Sequence, residues 1–279
     1  MLLAAIIILS LASAGLVCGL TGSFVGLAWL WVLPVSALGA FLVLTGLAFA
    51  FIWIACATVD LSKPQEQDSR FFRTMAGVYI ESLIPLLRVK FIQKGMEQVP
   101  ARGRFMLVCN HCSLADPVLL LHAFRKKQLA FISKQENSSM FLVGKAMHKL
   151  LCQTVNREND REALKTIIKC IGLIQEDKCS LGVFPEGYIH KDKKLHHFRH
   201  GVFKIAQRTK VPIVVCTMRD TATVFPNAAK LKKSTVELRL LKVMQPEEFE
   251  GMTTVDLSEK VYAMMAADLG PERVAQETQ

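Results

Sequence analysis

Between Met1 and Val59 the chain has no Lys, Arg, Asp, Glu or His, and its first charged side chain is Asp60. Nearly 60 uncharged residues are too many for a single membrane helix, which needs roughly 20 to cross about 30 Å of hydrocarbon. Two spans with a tight connection fit the length. No basic residue precedes the first apolar run and a second run follows directly. Both features speak against a cleaved secretory leader, although Ala12-Ser13-Ala14 resembles a cleavage site. The Cys109-x-x-Cys112 pair lacks a second pair of ligands at zinc-site spacing, so no metal is expected and the two thiols are assigned to packing. No basic-aromatic pattern or recognition-helix signature accompanies the net charge of +10, which excludes nucleic acid as the expected partner. Internal repeats and low-complexity tracts are also missing.

The expected spans are Leu2 to about Leu20 and about Ser36 to Val59, with Thr21, Gly22, Ser23, Trp29, Trp31 and Pro34 between them and the tryptophans as interfacial residues. All 34 basic and 24 acidic residues follow. Lys63, Arg70, Arg73, Arg88 and Lys90 come soon after the second span, and by the positive-inside bias they place the folded part on the cytoplasmic face of a multi-pass membrane protein. A basic domain there is drawn to anionic headgroups, so membrane lipids are expected partners. Cysteines at 18, 56, 109, 112, 152, 170, 179 and 216 are expected to stay reduced on that side.

Segment 60–88 reads as a linker with an amphipathic helix. Phe71, Phe72, Met75, Val78, Tyr79, Leu83, Leu86 and Leu87 recur at spacings of three and four, and Pro85 is placed to kink or end it. From 89 to 245 short apolar runs alternate with helical patterns. Strands are expected at 89–93, 105–109, 129–133, 150–155, 181–184, 212–217 and 236–243. Helices are expected at 116–124, 139–147, 160–175 and 201–208, with another at 257–267 in the C-terminal segment 246–279. The tail after Leu269 should fray. This alternation predicts an α/β domain: a central, mostly parallel or mixed sheet flanked by helices, preceded by the two-helix membrane anchor 1–59.

Two constellations carry chemistry. Asn110-His111-Cys112-Ser113-Leu114-Ala115-Asp116 follows an apolar strand and leads into a helix, at the open end of a sheet where α/β ligand sites gather. A five-residue offset would separate His111 and Asp116 on a continuous helix, but a turn can bring them together. A carboxylate on an imidazole fixes its tautomer and makes it a better base. Phe184-Pro185-Glu186-Gly187 ends another strand, with Gly suited to a tight turn. Arg157, after one strand and before the helix from Asp160, can reach an anion or remain solvated.

Taken in order, Asn-His-x4-Asp, an Arg after a strand, Phe-Pro-Glu-Gly and Val211-Pro212-Ile213-Val214-Val215 resemble the glycerolipid acyltransferase family, of the 1-acyl-glycerol-3-phosphate acyltransferase type. The resemblance runs from about Phe91 to Val243 and extends to Lys134 and to Phe198-Arg199-His200-Gly201-Val202-Phe203-Lys204. It implies that His111 and Asp116 form a catalytic dyad passing an acyl group directly from acyl-CoA or acyl carrier protein to a lysophospholipid hydroxyl. No other cofactor and no covalent Cys112 intermediate is implied. Asn110, Ser113, Arg157, Glu186, Gly187 and Lys191 are the implied substrate-binding positions.

The chain departs from the family pattern in one place. The family follows Glu-Gly with a small hydroxyl residue and an Arg, whereas this chain has Gly187-Tyr188-Ile189-His190. Lys191, Lys193 and Lys194 offer charge nearby, as point charges rather than a fork. The departure keeps in view the same chemistry on another lysophospholipid or lyso-aminolipid. A third reading, a catalytically silent lipid-binding scaffold, is opposed by the intact His111, Asp116, Glu186 and Gly187.

Overall fold

The computed structural model describes residues 2–156 and 159–276. The chain divides into two compact units, Met1–Lys63 and Pro64–Gln279. In the first, α1 (Leu2–Leu20) packs against α2 (Trp29–Ala57). Ile6, Ser10, Ala14 and Cys18 form the buried stripe of α1 at a spacing of four, and three of these four are small enough for close helix approach. Both helices are long and apolar enough to cross a membrane, and together they give the chain a membrane-associating segment. At 1.5 Å per residue they measure roughly 28 and 44 Å. The second helix begins at Trp29 rather than near Ser36, so Trp29, Trp31 and Pro34 lie within it. Pro34 removes one intrahelical donor so near the helix start that little of the ladder is lost.

In the second unit, α3 (Arg70–Leu86) starts at Ser69, whose hydroxyl accepts the Phe72 N–H, and Pro85 sits in its last turn. Seven strands follow among the described residues: β1 (Val89–Lys94), β2 (Met106–Val108), β3 (Leu129–Lys134), β4 (Gln153–Val155), β5 (Ser180–Val183), β6 (Ile213–Arg219) and β7 (Ser234–Met244). They make one sheet in the order β1-β7-β6-β2-β5-β3-β4, parallel throughout except for the antiparallel β6–β7 pair. The intervening helices are α4 (Ala115–Ala123), α5 (Phe141–Lys149), α6 (Asp160–Gln175), α7 (Lys204–Thr209), α8 (Val224–Ala229) and α9 (Thr254–Leu269). This is the expected mixed sheet flanked by helices.

Side chains of β2 alternate between two cores. Met106 and Val108 pack with α6, α7 and α9, whereas Leu107 packs with Leu119 and Leu120 of α4. Helices therefore cover both faces. The connection after β2 crosses by α4 towards β3, and the connection after β5 crosses by α7 back to β6, on the other side of β2. The carboxyl ends of the adjacent strands β2 and β5 thus send their loops in opposite directions and open a crevice between them, the place where open α/β sheets bind ligands.

Several boundaries differ from expectation for local reasons. Leu150 and Leu151 finish α5 instead of starting β4, with Leu151 at φ 62°. Helix α8 is only six residues long and contains Pro226, too short to register as a period. The described residues beyond Leu269, 270–276, are tied down rather than frayed, and the last three residues lie outside the described ones. Pro271–Arg273 form a 3₁₀ turn, and Val274 bridges to Leu195. The Leu195 N–H donates to the Arg273 carbonyl (2.8 Å), the Ala275 N–H donates to that of Leu195 (2.9 Å), and Arg273 pairs with Asp220 (2.9 Å). Leu257, Val261 and Met265 of α9 are core residues, so this helix belongs to the same packed body as the sheet.

Candidate active site

The crevice between β2 and β5 holds the two loops that the sequence singles out. After β2 the chain turns at Asn110 and His111 and enters α4, with Asp116 in its first turn rather than capping it. One oxygen of Asp116, Oδ2, accepts from His111 Nδ1 at 2.9 Å and from the backbone N–H groups of Cys112 (2.7 Å) and Ser113 (2.8 Å). Asp116 is fully buried, and its Oδ1 has no hydrogen-bond partner among the described residues. The contact assigns the Nδ1 proton to the side facing Asp116, which leaves Nε2 as the ring's acceptor.

The imidazole is held from its face as well. Its ring stacks on Phe184 at 4.1 Å between centroids and 15° between planes, and Phe184 stacks in turn on Phe131 at 5.7 Å. Phe131 lies across β5, where Gly182 makes room for it: a Cβ at Gly182 would come within 2.4 Å of the Phe131 ring. A carboxylate along one edge and an aromatic plate on one face leave the ring little freedom to turn.

Glu186 joins the β2 and β5 loops. Its Oε1 accepts the His111 N–H (2.7 Å) and its Oε2 accepts the His196 N–H (3.0 Å). With both oxygens engaged and the residue 2 % exposed, Glu186 holds the two loops together. Burial pushes its pKa from 4.5 up to about 8, against the opposing pull of those two N–H groups. Because the folded value lies above the unfolded one, the charged form is the one the fold disfavours. The stabilisation from this group therefore declines as pH rises from about 4.5 to 8 and is level beyond, with a slope of at most roughly 1.4 kcal/mol per pH unit. Thermal melts of the detergent-solubilised protein at pH 5, 6.5 and 8 should fall across that window. Glu186→Gln should flatten the dependence while lowering the melting temperature at pH 5, since an amide nitrogen cannot accept the second N–H.

Three other expected substrate contacts take different places. Asn110 is 2 % exposed, and its side-chain amide spans the backbone of Met218, with Oδ1 accepting the N–H at 2.7 Å and Nδ2 donating to the carbonyl at 2.9 Å. It fastens the β2 turn to β6. Ser113 is buried, and its Oγ accepts the Ala115 N–H as α4 begins. Lys191 is exposed and does not line the cavity described below. Arg157 lies outside the described residues. Cys112 donates its thiol to the Lys193 carbonyl (3.3 Å), and burial pushes its pKa up to about 12, a poor state for a nucleophile.

Behind Phe184 lies a cavity of about 420 Å³, in the range that takes small organic ligands. Ile132, Val155, Leu164, Ile167 and Val183 supply apolar wall, and Gly187 and Arg199 also border it. Sequence reading did not foresee the roles of Phe184, His196 and Arg199. The aromatic stack was hinted at only by Phe184 directly following a strand.

Comparisons with known proteins bear on the family and the fold. Residues 90–219 match the family described as Acyltransferase. Over 217 residues the chain is 27% identical to a 1-acyl-sn-glycerol-3-phosphate acyltransferase of Chlamydomonas reinhardtii, covering 75% of this chain and 63% of that one. Over 153 residues it is 31% identical to a probable 1-acyl-sn-glycerol-3-phosphate acyltransferase of Mycoplasma pneumoniae, covering 53% and 56%. The chain thus spans less than two thirds of the length of these relatives. The crystal structure of the 1-acyl-sn-glycerophosphate (LPA) acyltransferase of Thermotoga maritima shares the fold, with a TM-score of 0.61 at 20% identity over 82% of this chain and 90% of that one.

Proposed function

We propose that this chain, whose residues 90–219 match the Acyltransferase family, is a membrane-associated member of it that acylates the free hydroxyl of 1-acyl-glycerol-3-phosphate to give phosphatidic acid. The donor is an acyl thioester, of coenzyme A or of acyl carrier protein. The observation that carries the reading is the His111–Asp116 contact, which points the Nε2 lone pair away from the carboxylate at the open end of the sheet. The names of the relatives supply the acceptor.

In the proposed step Nε2 of His111 takes the proton of the acceptor hydroxyl as that oxygen bonds to the thioester carbonyl carbon. The tetrahedral intermediate then expels the thiolate, the C–S bond breaks, and the imidazolium returns its proton to sulfur. Asp116 stabilises the transient imidazolium. A thioester is electrophilic enough that a positioned base and aligned reactants suffice, so the reaction as written needs neither a metal nor an organic cofactor. The basic residues after α2 favour the cytoplasmic face for the catalytic unit, where such thioesters are available.

Membranes containing the full chain, given radiolabelled acyl-CoA or acyl carrier protein thioester and a panel of lysolipids, should place label in phosphatidic acid. Label confined to another lysolipid's product would replace the acceptor. Absence of transfer from either donor to every acceptor would sink the reading.

A further inference from the structure

Arg199 closes the long loop after β5, twelve residues beyond the Gly187 turn, and the fold brings it back to that turn. Its backbone N–H donates to the Pro185 carbonyl at 2.8 Å. Its side chain runs against Gly187: a Cβ there would meet Arg199 Nε at 3.0 Å and Cδ at 3.2 Å, and the glycine stands at φ +89°. The guanidinium carbon is 5.5 Å from the centre of the Tyr188 ring, and an Nη is 3.5 Å from the Tyr188 hydroxyl. Backbone, glycine and aromatic plate together set the direction of an otherwise flexible side chain, while the residue stays exposed to solvent.

Its place relative to the cavity gives this positioning a use. Arg199 borders the apolar cavity, and Phe184, which also lines it, carries the His111 ring on its face. A fixed planar cation at the edge of an apolar cavity, with the His111 ring behind the wall residue Phe184, suits an amphiphile with an anionic head and a hydroxyl between head and chain. Guanidinium matches a phosphate with paired N–H donors in a way that a lysine does not. Asp160 and Lys204 border the same cavity.

We infer that Arg199, seated on Gly187 and Tyr188 at the rim of the cavity, binds the phosphomonoester of the acceptor lipid and thereby selects it over uncharged acceptors. The inference rests on the acyl-transfer reading for the identity of the acceptor, but binding tests it without turnover. Equilibrium binding of radiolabelled lysophosphatidic acid, monoacylglycerol and coenzyme A would be measured on the detergent-solubilised full chain, as wild type, Arg199→Gln and Arg199→Lys. Losing a charge-assisted contact should raise the Kd for lysophosphatidic acid on the order of 10–100-fold in Arg199→Gln. Monoacylglycerol and coenzyme A should bind as before, and Arg199→Lys should recover part of the loss. Equal weakening of lysophosphatidic acid and monoacylglycerol would mean that Arg199 only holds the turn. Weakening of coenzyme A alone would assign it to the donor. An unchanged Kd for all three would remove it from the site. Each of these outcomes overturns the inference. Selective loss of lysophosphatidic acid binding in a protein whose wild type transfers no acyl group would uphold it and refute the enzyme reading instead.

Discussion

His111→Ala should transfer acyl groups about 10²–10⁴-fold more slowly than wild type, the usual contribution of a general base, with the acceptor KM little changed. On the proposed mechanism the effect should fall on kcat, because there the ring acts through Nε2 in proton transfer and the cavity and its rim hold the lipid. The substitution also removes the ring that stacks on Phe184, so folding is checked by thermal melting alongside. The Glu186 staple uses the backbone N–H of residue 111 and survives the change. Retention of more than a tenth of the wild-type rate in a folded variant would exclude His111 as the base. An acceptor KM that rose with kcat preserved would make it a binding residue.

Asp116→Asn should cost about 10²–10³-fold in kcat, and for a different reason. Two backbone N–H groups and the imidazole all point at one oxygen of Asp116. An asparagine must offer its carbonyl oxygen to those three donors, which sends its NH₂ to the buried position where Oδ1 has no partner among the described residues. The tautomer of His111 is then preserved, and what disappears is the negative charge that stabilises the imidazolium. At an effective dielectric near 20 that charge is worth about 4 kcal/mol at 4 Å, an upper figure for the barrier change. The stranded NH₂ adds a stability cost of about 1–3 kcal/mol. A lowered melting temperature together with reduced kcat and unaltered KM is the expected pattern. Full activity in Asp116→Asn would show that the carboxylate serves only to shape the turn.

Much of the architecture was readable because it rests on local periodicity. Strands β1, β3, β5, β6 and β7 appear within a few residues of the runs that announce them, and α6 begins and ends where its pattern does. The order β1-β7-β6-β2-β5-β3-β4 was not readable, since it depends on pairings between strands far apart in the chain. The site divides along the same line. His111 and Asp116 share one turn, so five residues of sequence suggest their meeting. Glu186 is conspicuous as a residue, but its engagement of two backbone N–H groups was not legible, because no side-chain pattern encodes main-chain partners. The place of Asn110 was hidden for the same reason: its amide reads the main chain of Met218, a strand away. Arg199 went without a role because nothing local says that residue 199 returns to lie on residue 187.

The bridge between Val274 and Leu195 also has a bearing on the timing of synthesis. A growing chain offers its apolar helices first, and the dyad turn and Glu186 follow well before α9. The segment neighbouring His196, whose N–H completes the Glu186 staple, is not secured until residues 271–275 have been made. Since domains form in the order in which ribosomes deliver them, the two apolar helices are available to a bilayer while this loop is still untied. Closure of the loop around His196 therefore waits on a segment translated well after the dyad turn, set by the position of its clasp along the message.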